Sequence, residues 1–115
     1  MLANHNLEAD RLRTFDGDWP HADDTICSKK QMAKAGFYYT GKRDCVKCFV
    51  CQVKLEGWDP QEDEPWRKHA EVAPSCEFAK MSEEEGKLTL QQWLDVFSSQ
   101  AIHKLELKLN QIQQM

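Results

Sequence analysis

Cys48-Phe49-Val50-Cys51 is followed by His69 and then by Cys76. Two thiols separated by two residues can bite one metal ion from a tight turn. His69 and Cys76 can complete a set of four from a later element. Zinc favours such nitrogen and sulfur ligands in a tetrahedron, and four protein ligands leave no open position for a reactive water, so the site reads as structural. A small domain with a modest core gains much of its folding energy from a bound metal. Buried thiols often act as plain apolar residues, but the joint spacing of four ligand residues outweighs that alternative. Cys45-Val46-Lys47-Cys48 repeats the two-residue spacing. On spacing alone either pair could bind; Cys45 is assigned as a strand thiol and Cys27 as a packed helix residue. His5, His21 and His103 read as surface or cap residues.

Outward from this stretch, residues 1–10 read as a short helix or loose arm. Leu12 and Phe15 share one helical face, and Trp19-Pro20 continues as an extended turn because a residue before proline is pushed out of the helical region. Thr25 or Ser28 can cap a helix through Gln31, Met32 and Ala35, which Gly36 ends. Phe37 to Thr40, Val46 to Val53 and Lys54 to Trp58 read as three strands of a small antiparallel sheet. Trp66 to Val72 reads as a short helix that carries His69 inward, stopped by Pro74. Residues 80–88 are polar and acid-rich and read as a linker. Thr89 and Gln92 match a capping box, and no Pro or Gly interrupts the chain from Leu90 to Met115. The expected class is therefore α+β: an arm at 1–10, a zinc domain at 11–79, a linker at 80–88 and one long C-terminal helix at 89–115.

The chain has 115 residues, 15 basic and 19 acidic, with net charge -4. That balance argues against a general nucleic-acid binder, which usually carries a basic stripe. No apolar run approaches the roughly 18 residues of a membrane span. The N-terminal residues lack a basic region followed by an apolar core. Five cysteines, an odd count, then favour a metal site in a reducing compartment, cytosol or nucleus, over a disulfide framework.

Several pieces meet one family. Arg11-x-x-Thr14-Phe15, Trp19-Pro20, Ala35-Gly36-Phe37, Cys48-x2-Cys51, Gly57-Trp58-x-Pro60, Asp63, Pro65-Trp66, His69 and Cys76-x-Phe78 resemble the baculoviral inhibitor-of-apoptosis repeat, the BIR family. The resemblance implies short helices around a three-stranded antiparallel sheet, and one structural zinc ion held by Cys48, Cys51, His69 and Cys76. One extra residue, assigned as Glu64, lengthens the loop between Cys51 and His69 relative to the family pattern; a loop absorbs an insertion cheaply.

The family binds peptides through a free N-terminus, commonly alanine. Such recognition takes a carboxylate for the ammonium, a small apolar pocket and an edge strand for the backbone. By resemblance, Leu55, Glu56 and Trp58 supply strand and wall, and Glu62 receives the ammonium, with Asp63 as substitute. Val72 stands at the position that reads phosphate in survivin-type members, where they carry histidine, and Val53 stands where they carry lysine. Alanine recognition is therefore expected ahead of phosphate reading, for which Lys54 or Lys68 could compensate.

Lys87 to Leu94 resembles the start of the long helix of the survivin group. At 100° per residue, Leu90, Trp93, Leu94, Phe97, Ala101, Leu105, Leu109 and Ile112 fill an arc of about 160°, with Val96 and Leu107 opposite. The expectation is that Leu88 to Phe97 packs back on the zinc domain and that Ala101 to Met115 meets partners. The resemblance implies a non-enzymatic adaptor of the chromosomal passenger complex. Its expected partners are borealin-like and inner-centromere-protein-like helices, Aurora B kinase indirectly, and a histone-tail N-terminus, with a homodimer as the competing assembly. The expected location is chromosomes at centromeres, the spindle midzone and cytoplasm. The alternative is a caspase-binding inhibitor of apoptosis. A zinc hydrolase would need an open coordination position, which the closed ligand set denies.

Overall fold

The computed structural model describes residues 5–15, 17–81 and 87–113, with side chains described as far as Glu106. In chain order the elements are α1 (Glu8–Arg13), α2 (Lys29–Lys34), β1 (Phe37–Tyr39), β2 (Val46–Cys48), β3 (Lys54–Leu55), α3 (Pro65–Val72), α4 (Glu77–Met81) and α5 (Leu90–Gln113). The strands form one antiparallel sheet in the order β1-β2-β3. This is the expected α+β architecture: short helices around a small sheet, then a long helix.

The sheet faces follow from the strand period of two. Phe37, Tyr39, Val46 and Cys48 are buried, while Tyr38 and Lys47 between them are not. Phe15, Met32, Phe49, Trp58 and Phe78 complete the core from the helices and loops. Ser28 caps α2 by accepting the Gln31 N–H at 3.3 Å. Gly36 then turns the chain at φ +95, a conformation that favours glycine. Its carbonyl accepts the Phe49 N–H at 3.0 Å, tying the end of α2 to the metal-ligand turn.

β3 ends at Leu55, short of the expected Trp58. The cause is Asp44, whose carboxylate takes the N–H groups of Gly57 at 2.9 Å and Trp58 at 2.8 Å. Those amides leave the ladder, and Gly57 adopts φ +76. Helix α1 starts at Glu8, inside the stretch expected as an arm, and its buried residue is Arg11. The Arg11 Nε donates to the Ala33 carbonyl at 2.9 Å, and NH1 donates to the carbonyls of His5 and Asn6 at 3.0 and 3.1 Å. Its guanidinium lies over the Phe49 ring at 4.4 Å. A buried charge is tolerable only with such partners.

Three expectations change here. Cys27 is buried, but it precedes α2 in a loop, where its thiol faces the carbonyls of Asp59 and Asp63 at 3.4 and 3.1 Å. His5 and His21 are half-buried structural residues, the first stacked on Tyr38 at 3.8 Å and the second 3.1 Å from Asp44. Residues 80 and 81 belong to α4 rather than to a linker; 82–86 lie outside the described residues.

The long helix docks by the other face. Thr89 and Gln92 close the capping box, with the Thr89 N–H on Oε1 at 2.8 Å and the Gln92 N–H on Oγ1 at 3.2 Å. The expectation that Leu90, Leu94 and Phe97 pack inward does not hold: Leu90 is 77% and Leu94 52% exposed, and Phe97 is exposed too. Val96, expected opposite the apolar arc, is fully buried. Trp93, at the arc's margin, packs partly on the core. The physical reason is that helix–domain docking follows the shape of the receiving surface and its hydrogen bonds. The width of an apolar arc alone does not fix it. The side chains of Leu107, Leu109 and Ile112 lie outside the described residues.

Candidate metal centre and peptide groove

Cys48 ends β2, Cys51 lies in the turn after it, His69 sits on α3 and Cys76 immediately precedes α4. Their ligand atoms all lie within 4.8 Å of one another. The sulfurs of Cys48 and Cys76 are 3.9 Å apart, and the Cys51 sulfur is 3.6 Å from His69 Nε2. A zinc tetrahedron with Zn–S bonds near 2.3 Å has S–S edges of about 3.8 Å. The residues therefore fit zinc in type, number and spacing, and all five cysteines are free thiols.

The surroundings orient the set. His69 Nδ1 lies 2.9 Å from the Ala35 carbonyl, which can only accept, so Nδ1 carries the proton and Nε2 faces the thiols. This fixes the ring as a ligand. The N–H groups of Val50 and Cys51 point at the Cys48 sulfur at 3.3 and 3.5 Å, favouring its thiolate. Without metal, burial pushes the Cys48 thiol well up. The hydrogen bond from Cys48 lowers Cys51, but its own bond to Cys76 and burial outweigh that and push it up to about 11. Cys76 is held far below the usual range, first by the Cys48 thiol and then by the Cys51 thiol. Bound zinc cross-links α3 and the start of α4 to the sheet, and its binding must displace these protons. The Cys45 ambiguity resolves by position. Cys45 sits at the other end of β2, its N–H on the Lys42 carbonyl at 2.9 Å, away from the group.

The expected peptide-binding residues lie on β3, on the loop that follows it and on α3. β3 pairs only with β2, so its outer edge is unpaired among the described strands. Leu55 is half-buried against the core, and Glu56 is exposed. Trp58 lies within the core, edge-on to Phe37 at 5.7 Å, and its Nε1 has no hydrogen-bond partner among the described residues. Trp58 thus supports the wall from behind. The loop after it is tightly bonded. Asp63 Oδ2 accepts the Asp59 N–H at 2.9 Å and lies 3.9 Å from Lys68 Nζ, while Asp59 Oδ1 accepts the Gln61 N–H at 2.9 Å. Asp63 is spent within the loop. Glu62 is exposed, forms no ion pair among the described residues, and lines an open cleft with Asp23, Asp24, Glu64 and Arg67. Glu64, assigned above as the extra residue, is the N-cap residue of α3. Val72 is exposed near the end of α3.

Sequence reasoning missed Asp44, the anchor of the loop after β3, because its partners are backbone amides with no sequence signal. Burial works against the Asp44 carboxylate, but the Gly57 N–H, His21 and the Trp58 N–H together hold it below the usual carboxylate range. Val96 and Gln100 escape sequence reading as docking residues because periodicity marks an apolar arc and not the surface that receives the helix.

The family described as Inhibitor of Apoptosis domain, BIR, matches residues 11–80. Among relatives, Baculoviral IAP repeat-containing protein 5.2-A of Xenopus laevis is 38% identical over 105 residues, covering 89% of this chain and 66% of that protein. Baculoviral IAP repeat-containing protein 1f of Mus musculus is 44% identical over 86 residues, covering 72% of this chain and 6% of its own length. A solved structure of DIAP1 BIR1 bound to a Grim peptide aligns with a TM-score of 0.57 and 41% identity, over 65% of this chain and 72% of that one. Domain match, three-stranded sheet and Cys3His group agree, and the chain belongs to the BIR family, with survivin-type relatives similar along most of its length.

Proposed function

We propose that this chain is a non-enzymatic, survivin-like adaptor of the chromosomal passenger complex. Its BIR groove takes a free alanine-starting peptide of the histone-tail kind. Its α5 takes borealin-like and inner-centromere-protein-like helices, and through them Aurora B kinase. The reading extends to centromeric chromatin, the spindle midzone and chromosome segregation. One observation carries it: a long helix, matched within the survivin-type likeness, turns Leu90, Leu94, Phe97, Ala101 and Leu105 to solvent. An apolar face of that size beyond the domain core is the mark of a protein partner.

For the groove, the support is the open edge of β3 and, on the loop that follows it, the exposed Glu62 carboxylate. Val72 offers phosphate no donor. Calorimetric titration with alanine-starting histone-tail peptides, with and without phosphate on the third residue, tests this. Equal affinity is expected, weakened by Glu62→Ala; binding of neither peptide counts against the histone-tail reading. Removing residues 98–115 should abolish assembly with the two helical partners, and assembly that survives the deletion contradicts the adaptor reading. The second reading, a caspase-binding inhibitor of apoptosis, draws on the likeness to DIAP1 BIR1. Inhibition of a purified caspase at nanomolar chain would favour it.

A further inference from the structure

The turn that holds two of the metal ligands is also the seat of the long helix. Phe49 lies between Cys48 and Cys51. Its ring packs edge-on to Phe78 of α4 at 5.0 Å and under the Arg11 guanidinium of α1 at 4.4 Å. Its N–H is taken by the Gly36 carbonyl. Its own carbonyl accepts the side-chain amide of Gln100, on α5, at 2.9 Å. The second hydrogen of that amide goes to Asn6 Oδ1 at 2.7 Å. An amide nitrogen has two donors, so both N–H bonds of Gln100 Nε2 are spent clamping α5 to this turn and to the segment before α1. Val96, one helical turn earlier on the same face, is fully buried in the core.

We infer that Gln100 is a positioning residue that couples the metal turn to the partner helix. When it is clamped, the turn that presents Cys48 and Cys51 is braced and the apolar face of α5 is held outward. When α5 lifts away, the Phe49 carbonyl keeps only the longer contact from the Gln52 side-chain amide at 3.4 Å, and the turn loosens around its ligands. Reciprocity requires that a loosened turn also weaken the docking of α5. The outward face matters for partners only on the adaptor reading, but the coupling itself concerns this chain alone.

Zinc transfer from the loaded full chain to a colorimetric chelator tests the inference without any partner. Gln100→Ala should speed transfer on the order of fivefold, the loss of the one hydrogen bond that reaches the turn. Asp95→Ala, exposed on the same helix, should leave the rate unchanged. Hydrogen exchange separates local from global loosening. In Gln100→Ala the Val50 and Cys51 amides should exchange faster, while those of Tyr39 and Thr40 keep their protection. Transfer at the wild-type rate, or an equal rise in exchange at all four amides, overturns the coupling. Because partner binding enters neither readout, failure of the adaptor reading would leave this result standing, and the reverse.

Discussion

The zinc repeat and the long helix use the same residue types to opposite ends. In the repeat, aromatic and aliphatic side chains are turned inward around the four-ligand group: Phe15, Phe37, Phe49 and Phe78 are all buried. In α5 the order reverses. Buried Val96, partly buried Trp93 and the bonded amide of Gln100 hold the helix down, while Leu94 and Leu105 stand 52% and 58% exposed. The difference separates scaffold from ligand site. The repeat buries its apolar surface to fix a groove, and the helix withholds its own.

The largest expected effect falls on the repeat. Stripping zinc, or His69→Ala, should unfold it, since structural zinc contributes on the order of 10 kcal/mol. Circular dichroism should then retain part of the α5 helical signal and lose the rest. Acidification should favour release, because protons return to Cys48 and Cys51. Next comes Arg11→Ala. It strips the buried Ala33 carbonyl and the half-buried carbonyls of His5 and Asn6 of their donor and should cost about 2–4 kcal/mol, read by denaturant midpoint. Arg11→Lys should not rescue it, since an ammonium lacks the planar fork.

Asp44→Ala should cost about 1–3 kcal/mol by leaving the Gly57 and Trp58 amides unpaired. It should also weaken peptide binding at the edge of β3, measured by titration. The smallest effect concerns Cys27. Burial, then Asp63, Asp59 and Asp44, push its thiol up to about 11. A raised thiol contributes stability that is present below the unfolded thiol value, about 8.5, and is lost as pH rises toward 11. At pH 8 it should resist iodoacetamide in the folded chain and react once the chain is unfolded.

Much of the repeat is legible in the sequence because its signals are local or chemically rare. Four metal ligands at fixed spacing, Gly36 after Ala35, Pro65 at the start of α3 and the Thr89–Gln92 capping box each act through residue type and near neighbours. What stays hidden is long-range and carried by ordinary residues. Nothing in the sequence tells that Asp44 reaches across to Gly57, that Cys27 pins the Asp59–Asp63 loop, or that Arg11 lies over Phe49. The docking face of α5 escapes sequence reading for a related reason. Periodicity finds the apolar arc of a helix but not the surface that receives it. Where an arc is reserved for another molecule, burial within the chain falls to the remaining side.

The division of faces is the central claim, and paired denaturant unfolding of Val96→Asp and Leu94→Asp tests it most directly. Val96→Asp puts a charge into a fully buried site and should cost about 3 kcal/mol or more. Leu94→Asp should stay within about 0.5 kcal/mol of the parent chain, as surface changes do. Equal loss in the two variants would contradict the account.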